Sequence, residues 1–192
     1  MNLNATFSLI LSILILTGSL TACSGRGGST LSEEVDAYEA ALVRFPGSTA
    51  AIDEGLARFQ SSFFDLTADD IGKQMRETYA EILYFNDTLH SFDALDGLVE
   101  YMERTGESLD QSRVDIHHVI RDGADVYVRW SMEFHTRAAG SKVHSRSIGM
   151  THLRFNASGR VVLHQDFWDS GHALYAHLPG VGFAVRRARS AL

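Results

Sequence analysis

Only one cysteine, Cys23, occurs in the 192 residues, so no disulfide can form within the chain. Prolines number two. Basic residues are outnumbered: 17 Lys and Arg stand against 24 Asp and Glu, a formal net charge of −7. Nucleic acid is therefore not expected as a partner, because phosphate binding needs clustered Lys and Arg. The one local cluster, Arg186, Arg187 and Arg189, falls at the end of a predicted helix, where arginines complement the dipole or stand in solvent. No internal repeat and no metal-ligand spacing is visible. The nine histidines are scattered, and His117 and His118, being adjacent, face opposite ways in a strand. Neither a metal ion nor a cofactor is expected. What the chain does have is ordinary domain length and 45% hydrophobic residues, enough for one domain with a real core.

The apolar run Phe7 to Leu16 is too short to span a bilayer comfortably. Thr17, Gly18 and Ser19 follow it, then Leu20-Thr21-Ala22-Cys23. These last four residues resemble the lipobox of a bacterial lipoprotein signal peptide. The resemblance implies cleavage before Cys23, diacylglycerol on its thiol and a fatty acyl chain such as palmitate on the new amine. Two or three acyl chains anchor a protein stably in the lipid bilayer. Ser24, rather than Asp, implies the outer membrane of the cell envelope, with the protein facing the periplasm. The segment ahead of the apolar run departs from the pattern in having no Lys or Arg. The predicted organisation is a signal peptide over 1–22, then the acylated Cys, a Gly- and Ser-rich tether and a short helix over 23–47. The main domain covers 48–192.

Periodicity predicts helices first and strands afterwards. Val35, Tyr38, Leu42 and Phe45 recur at helical spacing until Pro46-Gly47. Ile52, Leu56, Phe59 and Phe63 form one stripe of a second helix. Thr67 and Asp70 read as a capping box for a third helix running towards Tyr79. Ile82 to Leu89 looks extended. Asp93 reads as the cap of a fourth helix carrying Leu95, Leu98, Val99 and Met102. Arg113–Arg121, Asp125–His135, Val143–Phe155 and a final strand follow, the first two joined by the Asp122-Gly123 turn. The expected class is α+β, helices packed on a strongly curved antiparallel β-sheet.

The stretch Arg154 to Asp169, RFNASGRVVLHQDFWD, carries the most chemistry. Alternation sends Val162, His164, Asp166 and Trp168 to one face and Leu163, Gln165 and Phe167 to the other. Burying an imidazole, a carboxylate and an indole side by side is costly without partners, which points to a pocket wall. His164 and Asp166 stand two apart on that face, close enough to couple. Trp168 is placed to stack on a ligand and Trp130 to form a pocket floor. His118 shares the alternation of Val114, Ile116 and Ile120 and is predicted to face the core or pocket wall. Asp169 reads as the cap of a helix starting near His172.

The order of elements resembles the NTF2-like superfamily, in its SnoaL-like branch. Tyr84 to Asp87 matches an aromatic run that in relatives ends in Asp-Pro, with Thr88 standing where the Pro would be. Leu95 to Met102 matches the following helix. Thr151 to Asp169, continuing into Ser170 to Gly182, matches most specifically. The resemblance implies the NTF2-like cone with a pocket between sheet and helices. Against the ketosteroid isomerases of this superfamily, Asp87 matches the general-base aspartate. Thr151 falls where those enzymes have a protonated aspartic acid, and Phe59 or Phe63 where they have a tyrosine donor. One of three catalytic groups is thus present, which argues against that chemistry.

Two functions follow. One is an anchored module that binds a small hydrophobic molecule, with His118, Trp130, Thr151 and Trp168 lining the site. The other is a cofactor-independent acid–base enzyme, an isomerase, dehydratase or cyclase, using Asp87, His164 and Asp166. Tyr127, Arg129, Ser131, Glu133 and His135, with His144, Arg146 and His152 on the next strand, define an outer sheet face of interface-prone types, from which a homodimer is expected.

Overall fold

Each predicted periodicity produces the element it implies, with shifted ends. The structure is a computed structural model and describes residues 31–138, 141–178 and 180–191. The segment 1–30, where a signal peptide, the acylated Cys23 and a tether are expected, lies outside the described residues. The first helix, α1, spans Leu31–Arg44, followed by α2 (Ile52–Phe63) and α3 (Ile71–Thr78). Strands β1 (Tyr79–Asn86) and β2 (Ser91–Ala94) precede α4 (Leu95–Ser108). Four long strands follow, β3 (Leu109–Asp122), β4 (Asp125–Ala138), β5 (Ser141–Phe155) and β6 (Val161–Trp168). The chain closes through α5 (Ser170–Ala173), a 3-10 turn (Tyr175–His177) and α6 (Val181–Ser190).

Two helix starts differ from expectation. Thr67 and Asp70 form no capping box: the Thr67 backbone N–H and hydroxyl both donate to Asp65 Oδ1, at 2.9 and 2.6 Å. A carboxylate two residues back takes both donors, so the helix starts later, at Ile71. Asp93 does not cap α4 either. It is drawn into β2, where Phe92 and Ala94 pair with Phe85 and Ile82 of β1.

The strand order is β2-β1-β6-β5-β4-β3. All neighbours run antiparallel except β1 and β6, which are parallel, so the sheet is mixed. No hairpin joins β1 to β6, and their direction is therefore free of turn constraints. Register shifts in the β1, β3 and β6 pairings interrupt an otherwise regular ladder and let the sheet bend. The turn from Asn156 to Gly159 is held by Asn156 Oδ1, which accepts from the N–H groups of Ser158 and Arg160 at 3.0 Å each. Gly159 sits there at φ 71°, which a glycine adopts without cost.

Helices α2, α3 and α4 cover the inner face of the sheet. Phe59, Met75, Tyr79, Leu83, Phe85, Leu98, Leu153 and Phe155 are fully buried among them. Each such side chain contributes roughly 1.5–3 kcal/mol on leaving water. Helix α1 instead docks on the outer face, where Tyr38, Ala41, Leu42 and Phe45 pack against Tyr84 and Leu163. Arg154 fastens its end, Nη1 donating to the carbonyls of Leu42 and Phe45 at 2.7 and 3.0 Å. His152, expected on an open polar face, lies buried beneath this helix. Its Nδ1 lies 2.7 Å from the Tyr38 hydroxyl and its Nε2 2.6 Å from Asp125 Oδ1.

Candidate functional site

Between the inner face and the helices lies a cavity of about 400 Å³. Phe59 and Phe63 of α2 and Tyr101 and Met102 of α4 form its helix-side wall, and Phe85 of β1 belongs to the sheet side. Val114 and Ile116 of β3, Trp130, Met132 and Phe134 of β4, and Thr151, Asp166 and Trp168 form the sheet side. Asp87 sits just past the end of β1, and Leu174 and Leu178 close the C-terminal end. The walls are mostly apolar, so the few polar atoms that face inward decide what the cavity accepts.

Asp166 is the most elaborately held of these. Thr151 Oγ1 donates to its Oδ1 at 2.5 Å, and Thr151 in turn accepts from Trp130 Nε1 at 2.8 Å. His164 Nε2 lies 3.0 Å from the same Oδ1, and His164 Nδ1 lies 2.7 Å from the Tyr79 hydroxyl. One proton on the ring, at Nε2, satisfies both contacts: Tyr79 donates to Nδ1 and the ring donates to Asp166. The chain Trp130–Thr151–Asp166–His164–Tyr79 therefore directs every donor towards one carboxylate oxygen. The other oxygen has no hydrogen-bond partner among the described residues, and the side chain lines the cavity. His164 is fully buried among Phe59, Phe63, Tyr79 and Phe85, whose ring centroids lie 4.5–6.0 Å from its own.

Asp87 is held differently. Its Oδ1 accepts from the N–H groups of Leu89 and His90 at 2.8 and 2.7 Å, and its Oδ2 accepts from the Tyr101 hydroxyl. Its carbonyl accepts from Trp168 Nε1 at 2.7 Å, which ties the end of β6 to this turn. Both Asp87 oxygens are thus engaged. Thr88, beside it, has φ 72°, a left-handed conformation that a β-branched residue rarely adopts, and its buried hydroxyl has no partner among the described residues. Burial raises the Tyr101 phenol above its ordinary range, and the Asp87 charge adds to the effect. Burial also raises Tyr79, with Asp166 and Asp87 adding to it. Both phenols are therefore hydrogen-bond donors at neutral pH.

The structure brings Asp87, Trp130, Thr151, Asp166 and Trp168 together on the cavity wall, with His164 behind Asp166. His118 does not join them. Ile116 pairs with Trp130 but His118 pairs with Arg129, so β3 carries one extra residue at His117. That bulge inverts the alternation, and Val119 takes the inner face opposite Val128 while His118 and Ile120 turn to solvent. Trp130 fits because β5 has Gly149 opposite it; a Cβ there would lie 2.4 Å from the indole ring. Asp169 caps α5 as expected, Oδ1 accepting from His172 N–H at 2.9 Å.

Tyr79 and Tyr101 were not singled out by sequence reasoning, yet they supply the hydroxyls that meet His164, behind Asp166, and Asp87, in the pocket. Tyr101 adjoins the apolar stripe of α4, and a phenol on such a stripe was the available signal. Tyr79 begins β1 and carried none, since its partner lies 85 positions away.

The SnoaL-like domain profile matches residues 61–164. The sequence matches no functionally curated protein. Among solved structures the chain is similar to an LEH-like epoxide hydrolase from M. tuberculosis, with TM-score 0.53 and 14% identity over 73% of this chain and 98% of that one. It is also similar to a protein of ketosteroid isomerase-like fold from Catenulispora acidiphila, in complex with trimethylamine. There the TM-score is 0.55 and the identity 16%, over 66% of this chain and 95% of the other. At these identities the likeness is one of fold.

Proposed function

The chain belongs to the SnoaL-like domain family, and on that premise we propose that it is a lipid-anchored binding protein for a small hydrophobic molecule. This fold supports ligand binding or cofactor-independent catalysis in its pocket. The observation that carries the reading is the apolar cavity of about 400 Å³ with one uncommitted carboxylate oxygen, on Asp166. A ligand with an apolar body and one hydrogen-bond-donating or cationic group fits this combination. Its apolar part would lie against Trp130, Trp168 and Phe63, and its polar group would meet Asp166. The anchor in this reading is acylated Cys23, which holds the domain at the outer membrane facing the periplasm. A second copy is proposed to pair through the outer sheet face, where Ile148, Met150 and Phe167 are exposed beside α1.

The test of binding is extraction and mass spectrometry of small molecules that co-purify with the full chain from native membranes. Asp166→Ala should lose the molecule, while the outer-face variant Phe167→Ala should keep it. Equal retention by both variants would remove Asp166 from the site. The anchor is tested with alkyne palmitate, which should label the wild type and not Cys23→Ala.

A second reading, acid–base catalysis, is favoured by the wiring of Asp166. A carboxylate oriented through one oxygen and open through the other is arranged to accept a proton, with His164 and Tyr79 fixing its position. Ketosteroid isomerase chemistry is not part of this reading, because Thr151 donates to Asp166 and Tyr101 donates to Asp87. The two hydroxyls nearest the pocket carboxylates are thus already committed to them, rather than aimed at an oxyanion. Turnover of an aromatic ketone or enol with a bell-shaped pH profile, lost in Asp166→Asn, would select catalysis over simple binding.

A further inference from the structure

We propose that Glu133, His135 and His144 form a binding site for a divalent transition-metal ion of the zinc, nickel or copper type. The inference is independent of the cavity, since none of the three residues lines it. Sequence spacing hides the cluster because it is built across two strands. His135 and His144 are direct partners in the unbroken β4–β5 ladder, and Glu133 lies two residues before His135 on the same outer face. That is the smallest sheet patch on which three side chains can converge.

The side chains do converge. The two imidazole rings stack with centroids 4.3 Å apart and planes 19° apart. Glu133 Oε1 lies 2.6 Å from His144 Nε2 and 3.7 Å from His135 Nε2. All three ligand atoms lie within 4.8 Å of one another. Tetrahedral zinc with bonds of about 2.0–2.2 Å needs donor atoms roughly 3.3–3.6 Å apart, so small rotations of exposed side chains suffice. The remaining carboxylate oxygen, Oε2, faces Arg146 Nε at 3.7 Å, which orients Glu133 through the atom a metal would not use.

An ordinary surface ion pair would need only Glu133 and His144, and such exposed pairs contribute little. A second imidazole turned onto the same oxygen, at 3.7 Å, completes a ligand set. Two imidazoles and one carboxylate suit zinc, nickel and copper, whereas calcium and magnesium seek oxygen. Three protein ligands leave a further coordination position open to water or to a partner's side chain.

Titration calorimetry on the tag-free full chain tests the site, using zinc chloride and, separately, nickel chloride. One equivalent should bind the wild type. The double variant His135→Ala/His144→Ala should weaken binding at least tenfold, and Glu133→Gln about tenfold. His117→Ala, a neighbouring outer-face histidine, should bind as the wild type does. Thermal melts in chelator should coincide for all four proteins, and added zinc should raise the melting temperature only where the site is intact. Absence of binding by the wild type, or equal binding by the double variant, would overturn the proposal. So would loss of binding in His117→Ala.

Discussion

Asp166 shows how one residue acquires a role from its neighbours. Four other side chains arrange donors so that a single oxygen is satisfied and the second is left for the cavity. Thr88 is the opposite case, a residue under strain beside the Asp87 turn. A strained φ costs of order 1–3 kcal/mol, offset in part by the extra unfolded-state freedom of glycine, about 0.5–1 kcal/mol. Thr88→Gly should therefore stabilise the protein by roughly 1 kcal/mol, a rise of about 2–4 °C in melting temperature by calorimetry. Gly149 has no such latitude. Gly149→Ala should cost about 1–3 kcal/mol in urea unfolding, since a Cβ 2.4 Å from Trp130 forces the indole to move. It should also alter the tryptophan fluorescence of the native state.

At the scale of elements, α1 is held to the outer face by one apolar cluster and one polar chain. The polar chain runs from Tyr38 through His152 to Asp125 and Arg154. Tyr38→Phe removes the hydroxyl at its outer end while keeping the ring in place. The expected loss is about 1 kcal/mol. Hydrogen exchange should show it in residues 35–45 first, with β3 and β4 unchanged. If exchange in α1 is the same in both proteins, the hydroxyl does not fasten the helix. Strand β3 makes a different point: its bulge at His117 decides which side chains reach the cavity, and it leaves Val114 and Ile116 inside while sending His118 out.

At the scale of the whole molecule, the same buried chain makes stability depend on pH. Burial lowers the His152 pKa against the pull of Asp125, so the unfolded state takes up a proton first as pH falls below about 6.5. Its contribution is complete above that pH and is lost as the solution is acidified through the folded value. Burial pulls Asp125 upward, but hydrogen bonds from Arg154 and His152 outweigh it and leave the carboxyl below its ordinary value. That contribution is present above about pH 4 and is lost at lower pH. Both slopes have the same sign. Urea unfolding should show stability level between pH 7 and 8 and falling below about 6.5, with a shallower fall between about 6.5 and 5 in His152→Gln. An identical profile in that variant would assign the acid sensitivity to other groups.

The chain's periodicities were enough to determine its helices-then-strands order, the α+β class and the polar face of β6. These are properties of residues close in sequence: helical stripes at three and four, strand alternation at two, and a turn at Asn156 to Gly159. Asp166 and Trp168 were legible because alternation along one strand is a local rule. The tertiary structure decided whatever depends on two distant segments meeting. The parallel pairing of β1 with β6 belongs here, as do the docking of α1 over His152 and the hydroxyls of Tyr79 and Tyr101 that complete the site. His118 was misplaced because one inserted residue inverts a strand's faces, and the ladder opposite, not the strand's own sequence, determines where that residue goes. Glu133, His135 and His144 converge for the same reason: a ligand set shared between neighbouring strands exists only once their register is set.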